Sequence, residues 1–492
     1  MMVLVDYSHL PVLSHRCRFL QELDPCDGEP KIRLIRMSLY MSELNRLLDQ
    51  IEKMAPDIIK LEQDLVRINT TNTGFMPTGN ETKLCRYLEQ FLEKEGITSE
   101  TVESDVGRGN LIAKLEGSTG KNGLLFMSHS DVVPVEDDSK WRFDPFSGTV
   151  HDGRIYGRGA SDCKGLLTSQ VIAMVLLKRN GIQLTDNLLL VSGADEEHGG
   201  RYGFGWLASN HPDKLEAPFA VNEGGGIPIK VGEGFVYSLG VGEKGRLQVE
   251  IDINGKSAHA SQPWRGDNVF YGLAEVVSRI ERYEAERDTS SSIFRYMSNL
   301  AIEHMPTPQN IDNIISELED DNNQLYSLLK ALSRMTLTPT MVNGGIKSNS
   351  VPESVRLTCD VRTLPNQNEE YLRAALDKVL EGIPGVEYSI DYMAVPNSSD
   401  FETKFAEEIR SATAIALGMD SVDFIPTVST GFTDSRFTRD LGIITYGFMG
   451  SHPDDDVSLT NAHGIDESIG IDSLINCTKT MLALAYNMLA VK

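Results

Sequence analysis

The sequence predicts an α/β protein: a doubly wound, mainly parallel sheet carrying an inserted, smaller βαββαβ domain. Short apolar runs alternate with helix-spaced segments along the first half of the chain, the order of a parallel sheet with crossover helices. Three of these runs lead into polar residues: Leu124 to Met127 into Ser128-His129, Leu188 to Ser192 into Asp195-Glu196-Glu197, and Phe219 to Val221 into Asn222-Glu223. After Gly242 the apolar spacing changes to strict alternation and the order of elements changes with it.

Ser42 to Arg67 carries apolar residues at helical spacing, from Leu44 and Leu47 to Leu61 and Leu65, and Pro56 divides it into two helices. Residues 1 to about 40 read as a loose extension or as sequence upstream of a later start, with Met37 and Met41 both preceding the first clear helix. Thr82 to Lys94 reads as a helix, Leu111 to Leu115 and Gly123 to Met127 as strands, and Gly165 to Arg179 as a helix. Strands ending at Ser192 and Val221 continue the alternation.

The second pattern begins at Arg246 to Ile253, where Leu247, Val249, Ile251 and Ile253 alternate with polar residues and Asn254-Gly255 turns the chain. A helix at Asp267 to Arg282, strands at Met335 to Val342 and Val355 to Arg362, a helix at Glu369 to Glu381 and a strand at Val386 to Tyr392 complete βαββαβ. Residues 286–333 are polar and helix-prone, with an acidic run at Glu317 to Asp321, and read as a surface elaboration of the insert. From Phe401 the first pattern resumes: a helix through Leu417, a buried strand at Ile443 to Phe448 and a closing helix at Ile471 to Leu489. The expected division is therefore residues 1–243 with 396–492 as one domain and 244–395 as the other.

At 492 residues the chain exceeds the usual size of one core, which also favours two domains. A net charge of -25 argues against nucleic acid, whose phosphates reward Lys and Arg, and suits solubility and cation binding. The six cysteines are scattered without a CxxC pair, so a reducing cytoplasm is expected. No run approaches the roughly 20 apolar residues needed to span a bilayer, and the N-terminus lacks the basic start and cleavage site of a secretory signal.

The chemistry-bearing residues follow the strand ends. His129 and Asp131 stand at i and i+2, on one side of an extended segment, where the carboxylate can orient the imidazole or simply cap a turn. Asp162 ends the loop Gly157-Arg158-Gly159-Ala160-Ser161-Asp162 before a helix and can bridge cations or serve as an N-cap. A phosphate loop is a poor reading there, since the third glycine of GxGxxG is missing and an acid stands where an anion would lie. Asp195-Glu196-Glu197 crowds three acids, whose proton affinities rise unless a cation intervenes; one glutamate can ligate while its neighbour acts as base, or the three form a solvated acidic loop, a reading that the preceding apolar strand disfavours. Glu223 precedes Gly224-Gly225-Gly226, which lets the backbone approach a site closely, and His463 lies in a polar loop before the last helix.

Together, Ser128-His129-Ser130-Asp131, Gly157 to Gly165, Asp195-Glu196-Glu197 with Gly199-Gly200, and Asn222-Glu223-Gly224-Gly225 resemble the M20 metallopeptidases, in order and over nearly the whole chain from about residue 45. The resemblance implies two zinc ions per subunit, with cobalt a possible substitute: His129 and Glu223 on one, Glu197 and His463 on the other, Asp162 bridging. It further implies Glu196 as general base, Asp131 behind His129, and an inserted lid and dimerisation domain. In that insert Ser257-Ala258-His259 looks like the segment whose histidine polarises the scissile carbonyl, often across a dimer interface. Asn349, Arg362 and Arg436 match substrate-side positions; an arginine fork suits a carboxylate, although Arg362 can instead pair with Asp360. Ser128 and Cys163 depart from the residues common in the family without removing a ligand.

The resemblance thus implies a homodimeric hydrolase of an amide or peptide bond beside a free carboxylate, acting on small peptides or N-acyl amino acids, with neither nucleic acid nor membrane as partner. A member that keeps its metals as a binding or regulatory protein is the alternative. Glu196, His259 and Arg362 all being present speaks for the enzyme.

Overall fold

The computed structural model describes residues 29–320 and 322–491, and they form two compact units. The first comprises the described residues up to Ser192 together with Thr403–Asp423 and the chain from Gly450; the second comprises Gly193–Glu402 and Phe424–Met449. Most of the expected N-terminal extension, residues 1–28, lies outside the described residues. The first helix, Glu29–Lys53, starts well upstream of the Ser42 suggested by apolar spacing. Pro56 stands in the first turn of the next helix, Ala55–Arg67, where its missing N–H costs nothing, so the expected break is present.

In the first unit the strands run in the order Thr98–Glu103, Gly109–Leu115, Asn187–Gly193, Asn122–His129. The first pair and the second are antiparallel. The strand ending at His129 is buried along almost its entire length, as is the one ending at Gly193, which explains why both read as continuous apolar runs rather than alternating ones. The helix Gly165–Arg179 is buried on nearly all sides and packs against the closing helix Ile471–Leu489, which in turn packs against Lys404–Leu417. The span Ala160–Arg179 is long and apolar enough to cross a membrane, contrary to the length argument from sequence, but it is almost wholly enclosed and is a core helix.

In the second unit the strand Phe219–Asn222 pairs in parallel with Ile444–Gly447, and Phe424–Ser429 pairs in parallel with Gly234–Glu243. The flanking strands Pro228–Val231 and Asn397–Ser398 join Gly234–Glu243 antiparallel. The architecture is therefore α/β, as expected, with parallel pairs inside and antiparallel additions around them. The insert is a four-stranded antiparallel sheet ordered Thr336–Gly344, Ser354–Thr363, Gly245–Asn254, Val386–Ala394. Helices Val269–Glu281 and Glu369–Leu380 cover its buried face, where Val249, Ile251, Cys359 and Val361 meet Val276, Leu372 and Leu376. Its chain order is the βαββαβ read from the sequence. Residues 286–333 form a short-helix segment: the turns of Ser292–Leu300 and the helices Ile311–Ser316 and Asn323–Leu332.

Only Lys244 separates Gly234–Glu243 from Gly245–Asn254, so one residue carries the chain from one sheet into the next. Its side chain is buried, and Nζ donates to the carbonyls of Ala331 at 2.7 Å and Arg334 at 2.8 Å, at the end of the helix Asn323–Leu332. Those carbonyls have no partner within the helix, and a cation suits that end of the helix dipole. Burial, then the charges of Arg362 and Arg334, press the lysine pKa down to about 7. Lys164 does the same in the first unit, donating from a fully buried position to Leu65 and Ile68 at the end of Ala55–Arg67.

Beside Lys164, Glu62 is completely enclosed and accepts a hydrogen bond from Thr168 Oγ1 at 2.7 Å. Burial raises its pKa to about 8, so it keeps a proton in the folded state that the unfolded chain releases from about pH 4.5 upward. Folding then binds more protons than unfolding between these values, and stability falls as pH rises through that window. Urea denaturation should show wild-type stability declining from pH 5 to pH 8, whereas Glu62→Gln, a mimic of the neutral acid, should show a visibly shallower decline; parallel curves would refute the assignment.

Candidate metal centre

In the first unit, His129 ends its strand fully buried, and its Nδ1 lies 3.0 Å from the backbone carbonyl of Asp131. A carbonyl only accepts, so Nδ1 carries the hydrogen and Nε2 is left to face Asp162 Oδ1 at 2.9 Å. A neutral imidazole would there oppose a lone pair to a carboxylate, an arrangement satisfied only by a proton or a cation between them. The second oxygen, Oδ2, lies 3.1 Å from His463 Nε2. One carboxylate thus spans two imidazoles. Burial opposes the charge on Asp162, but the two imidazoles facing it, once they carry positive charge, outweigh burial and hold the carboxyl well below the usual range.

The backbone that presents Asp162 is fixed from behind. The buried carboxylate of Glu467 accepts the N–H groups of Ser161 and Asp162, both at 3.1 Å, and pairs with Arg158 at 2.5 Å. Arg158 also donates to the carbonyl of His463 at 3.2 Å, tying the second histidine to the same loop. Asp162 sits at a kink and not at an N-cap, so the capping alternative is set aside. Cys163, beside it, is buried and takes the His129 N–H at 3.2 Å through Sγ.

Asp131 is equally enclosed. Its Oδ1 lies 3.5 Å from His129 Nδ1, while Oδ2 accepts from Asn72 Nδ2 at 2.9 Å. Burial raises its proton affinity, but the bonds from His129 and Asn72 more than offset this and keep it low. Behind this pair, Arg108 and Glu81 form a fully buried ion pair at 2.7 Å. Burial and the nearby charge of Asp131 push Glu81 up to about 8, against the pull of Arg108. Asn72, Arg108, Glu81, Arg158 and Glu467 escape a sequence reading, because each lies in a loop or helix start whose spacing carries no sign of its burial.

The second unit holds the acidic turn. Glu196–His198 forms a single tight turn, entered through Asp195 at φ 65° and left through Gly199 at φ 97°. The N–H of Gly200 bonds the Asp195 carbonyl at 2.6 Å and that of Tyr202 bonds its carboxylate at 3.2 Å, so the turn is closed on itself. Glu196 is buried and Glu197 half-buried. Glu223 follows the strand Phe219–Asn222. The adjoining glycines serve packing: a Cβ on Gly225 would stand 2.2 Å from the Gly447 carbonyl and 2.6 Å from the Gly240 nitrogen.

The remaining candidates are placed as follows. His259 is exposed, with Nδ1 2.7 Å from Ser261 Oγ, and Asn349 is exposed, its carbonyl accepting from the N–H of Ala260. Arg362 pairs with Asp360 through Nε at 2.7 Å and also donates to the Thr430 carbonyl at 2.9 Å. Arg436 is buried between the rings of Phe432 and Phe437, and its Nη2 donates to the Gly199 carbonyl at 2.7 Å. It therefore braces the acidic turn.

A carboxylate shared by two imidazoles at the edge of an α/β sheet marks a metal-binding protein, since nitrogen and oxygen donors of this kind suit divalent transition metals. The model of peptidase family M20/M25/M40 matches residues 125–487, and the chain belongs to that family. Among its relatives, a probable succinyl-diaminopimelate desuccinylase of Staphylococcus epidermidis is 26% identical over 425 residues, covering 85% of this chain and 95% of that protein. Among solved structures, an M20 family metallo-carboxypeptidase from Sulfolobus solfataricus aligns with a TM-score of 0.65 at 22% identity, over 87% of this chain and 98% of that one. The dipeptidase Dug1p from Saccharomyces cerevisiae aligns with a TM-score of 0.64 at 16% identity, over 90% and 98%. At these identities the two structures establish a common fold.

The ion pair behind Asp131 should matter to stability. Replacing Arg108 with Met removes the guanidinium partner of the buried Glu81, and breaking a buried pair in this way costs about 3–5 kcal/mol. A denaturation midpoint unchanged from wild type would contradict this.

Proposed function

We propose that this chain is a two-zinc hydrolase that cleaves an amide or peptide bond next to a free carboxylate, as a dipeptidase, carboxypeptidase or N-acyl amino acid deacylase, the desuccinylase type included. The observation that carries the reading is the Asp162 carboxylate, with one oxygen against His129 and the other against His463. In this reading His129 and Glu223 hold one ion, Glu197 and His463 the other, and Asp162 both. Bound there, two divalent cations supply positive charge that acidifies a water toward a pKa of about 7 and polarises the scissile carbonyl.

The chain's own residues do the rest. Glu196 accepts the proton of the attacking water and returns it to the departing amine, roles suited to an acid buried in a fixed turn. Asp131, held by Asn72, keeps the His129 hydrogen on Nδ1 and so leaves Nε2 to the metal side. His259 stabilises the developing oxyanion, and Asn349, Arg362 and Arg436 serve recognition of the substrate or of the loop that receives it. Arg362 would exchange Asp360 for a substrate carboxylate, the stronger partner of its planar fork when water is excluded. Residues 244–395 form the lid and dimerisation domain. The buried free thiols of Cys85, Cys163, Cys359 and Cys477 support a reducing, cytoplasmic setting.

The test is zinc analysis of the purified protein together with a screen of dipeptides, N-acyl amino acids and succinyl-diaminopimelate, with zinc or cobalt added. Glu196→Ala should lose turnover by at least about 10²-fold while retaining its metal. Turnover equal to wild type would remove Glu196 from the mechanism.

A homodimer is supported by the edge strand Thr336–Gly344. Met341 and Val342 are largely exposed on it, Ile346 beyond it is almost fully so, and Tyr271 stands exposed on the helix of the same insert. Bare edges of this kind are normally blunted or covered. Sedimentation should show a dimer for wild type and a monomer for the double variant Val342→Lys, Ile346→Lys; an unchanged sedimentation coefficient would place the interface elsewhere.

A further inference from the structure

Glu243 lies at the end of the strand Gly234–Glu243, immediately before the residue that leads into the insert, and is almost wholly buried. Its Oε1 accepts from the Thr433 backbone N–H at 3.1 Å and from Thr433 Oγ1 at 2.6 Å, and lies 3.4 Å from Arg439 Nη1. Its Oε2 accepts from Asn397 Nδ2 at 3.1 Å. Arg439, also buried, is in turn held by Asn397 Oδ1 at 2.7 Å and by the Thr445 carbonyl at 3.0 Å. A buried carboxylate with this many donors is fixed in one orientation, and each donor removed weakens that hold.

The network continues toward the proposed ligand. Thr433 Oγ1 lies 2.9 Å from Ser435 Oγ, and Asn222 Nδ2 donates to Ser435 Oγ at 3.0 Å and to Thr433 Oγ1 at 3.4 Å. Asn222 is the last residue of the strand Phe219–Asn222, and Glu223 follows it. On its other side the Thr433–Arg436 turn carries Arg436, which braces the acidic turn at Gly199. Two separate carriers of candidate ligands, the strand end at Glu223 and the turn after Glu197, are therefore tied to one loop, and that loop is tied to Glu243.

We propose that Glu243 is a positioning residue that, through Thr433, Asn222 and Arg436, sets the placement of Glu223 and Glu197 without itself meeting metal or substrate. The inference rests on the reading of Glu197 and Glu223 as ligands. It centres on the Glu243 carboxylate and the Thr433 hydroxyl, whose 2.6 Å bond is the shortest link between the loop and the strand Gly234–Glu243.

The experiment measures zinc affinity of the full-length protein by competition with a chromophoric chelator, alongside the melting temperature of the metal-free protein and the separate values of KM and kcat. Glu243→Gln and Thr433→Val should each weaken the binding of zinc about tenfold, the scale expected when support behind a ligand is lost. Thr433→Ser, which keeps the hydroxyl, should bind as wild type does. Asp312→Asn serves as control: it breaks the contacts of Asp312 with Arg287 and Arg334, within the same unit, and should lower the melting temperature with zinc affinity and kcat unchanged. Zinc affinity equal to wild type in Glu243→Gln and Thr433→Val, or a loss of equal size in the control, overturns the inference. A wild-type protein that takes up no zinc would overturn the ligand reading itself, which the variants alone cannot do.

Discussion

Everything proposed for this protein turns on a single shared carboxylate. Asp162 gives one oxygen to each of two imidazoles that lie more than three hundred positions apart in the chain. Such sharing is strained unless positive charge is present, because His129 has already committed its hydrogen to a carbonyl that can only accept. The surrounding groups remove any freedom to escape. Glu467 holds the Asp162 backbone, Arg158 holds both Glu467 and the His463 carbonyl, and Asn72 holds Asp131. The site is built to keep acids close together in a buried place, and the energy for this comes from the packed helices and strands around it.

Much of this was readable in advance, for a definite reason. Strands such as Leu124–His129 and Leu188–Ser192 are buried on both faces, so their apolar runs stand out, and the polar residues that end them stand out equally. The insert was legible because Gly245–Asn254 is buried on one face only, which writes alternation into its sequence. The short helices of residues 286–333 were expected only as helix-prone, since their burial depends on contacts distant in sequence. The helix from Glu29 leaves little trace ahead of Ser42, because its apolar spacing is weak there.

The supporting charges were not legible. Arg108, Glu81, Glu467 and Glu243 look like ordinary surface residues in the sequence, since nothing local to them reports enclosure. Their roles arise from partners such as Asp131, Asp162 and Thr433, brought together only by folding. Arg436 has a role that its loop does not announce: the guanidinium is enclosed by two aromatic rings and gives a donor to Gly199. It supports the acidic turn from behind.

The ammonium of Lys244 carries a consequence for residues 286–333, whose sequence reads as a surface elaboration of the insert. Its two acceptors are carbonyls at Ala331 and Arg334, and no carboxylate is among the groups that set its pKa. Trimming residues 286–333 would strip the Ala331 acceptor, cut the chain directly ahead of Arg334, and leave the cation at the one-residue bridge between two sheets poorly satisfied. A shortened form of this protein would therefore have to exchange that lysine for an oily side chain, so insertion and bridge are bound to change as a pair.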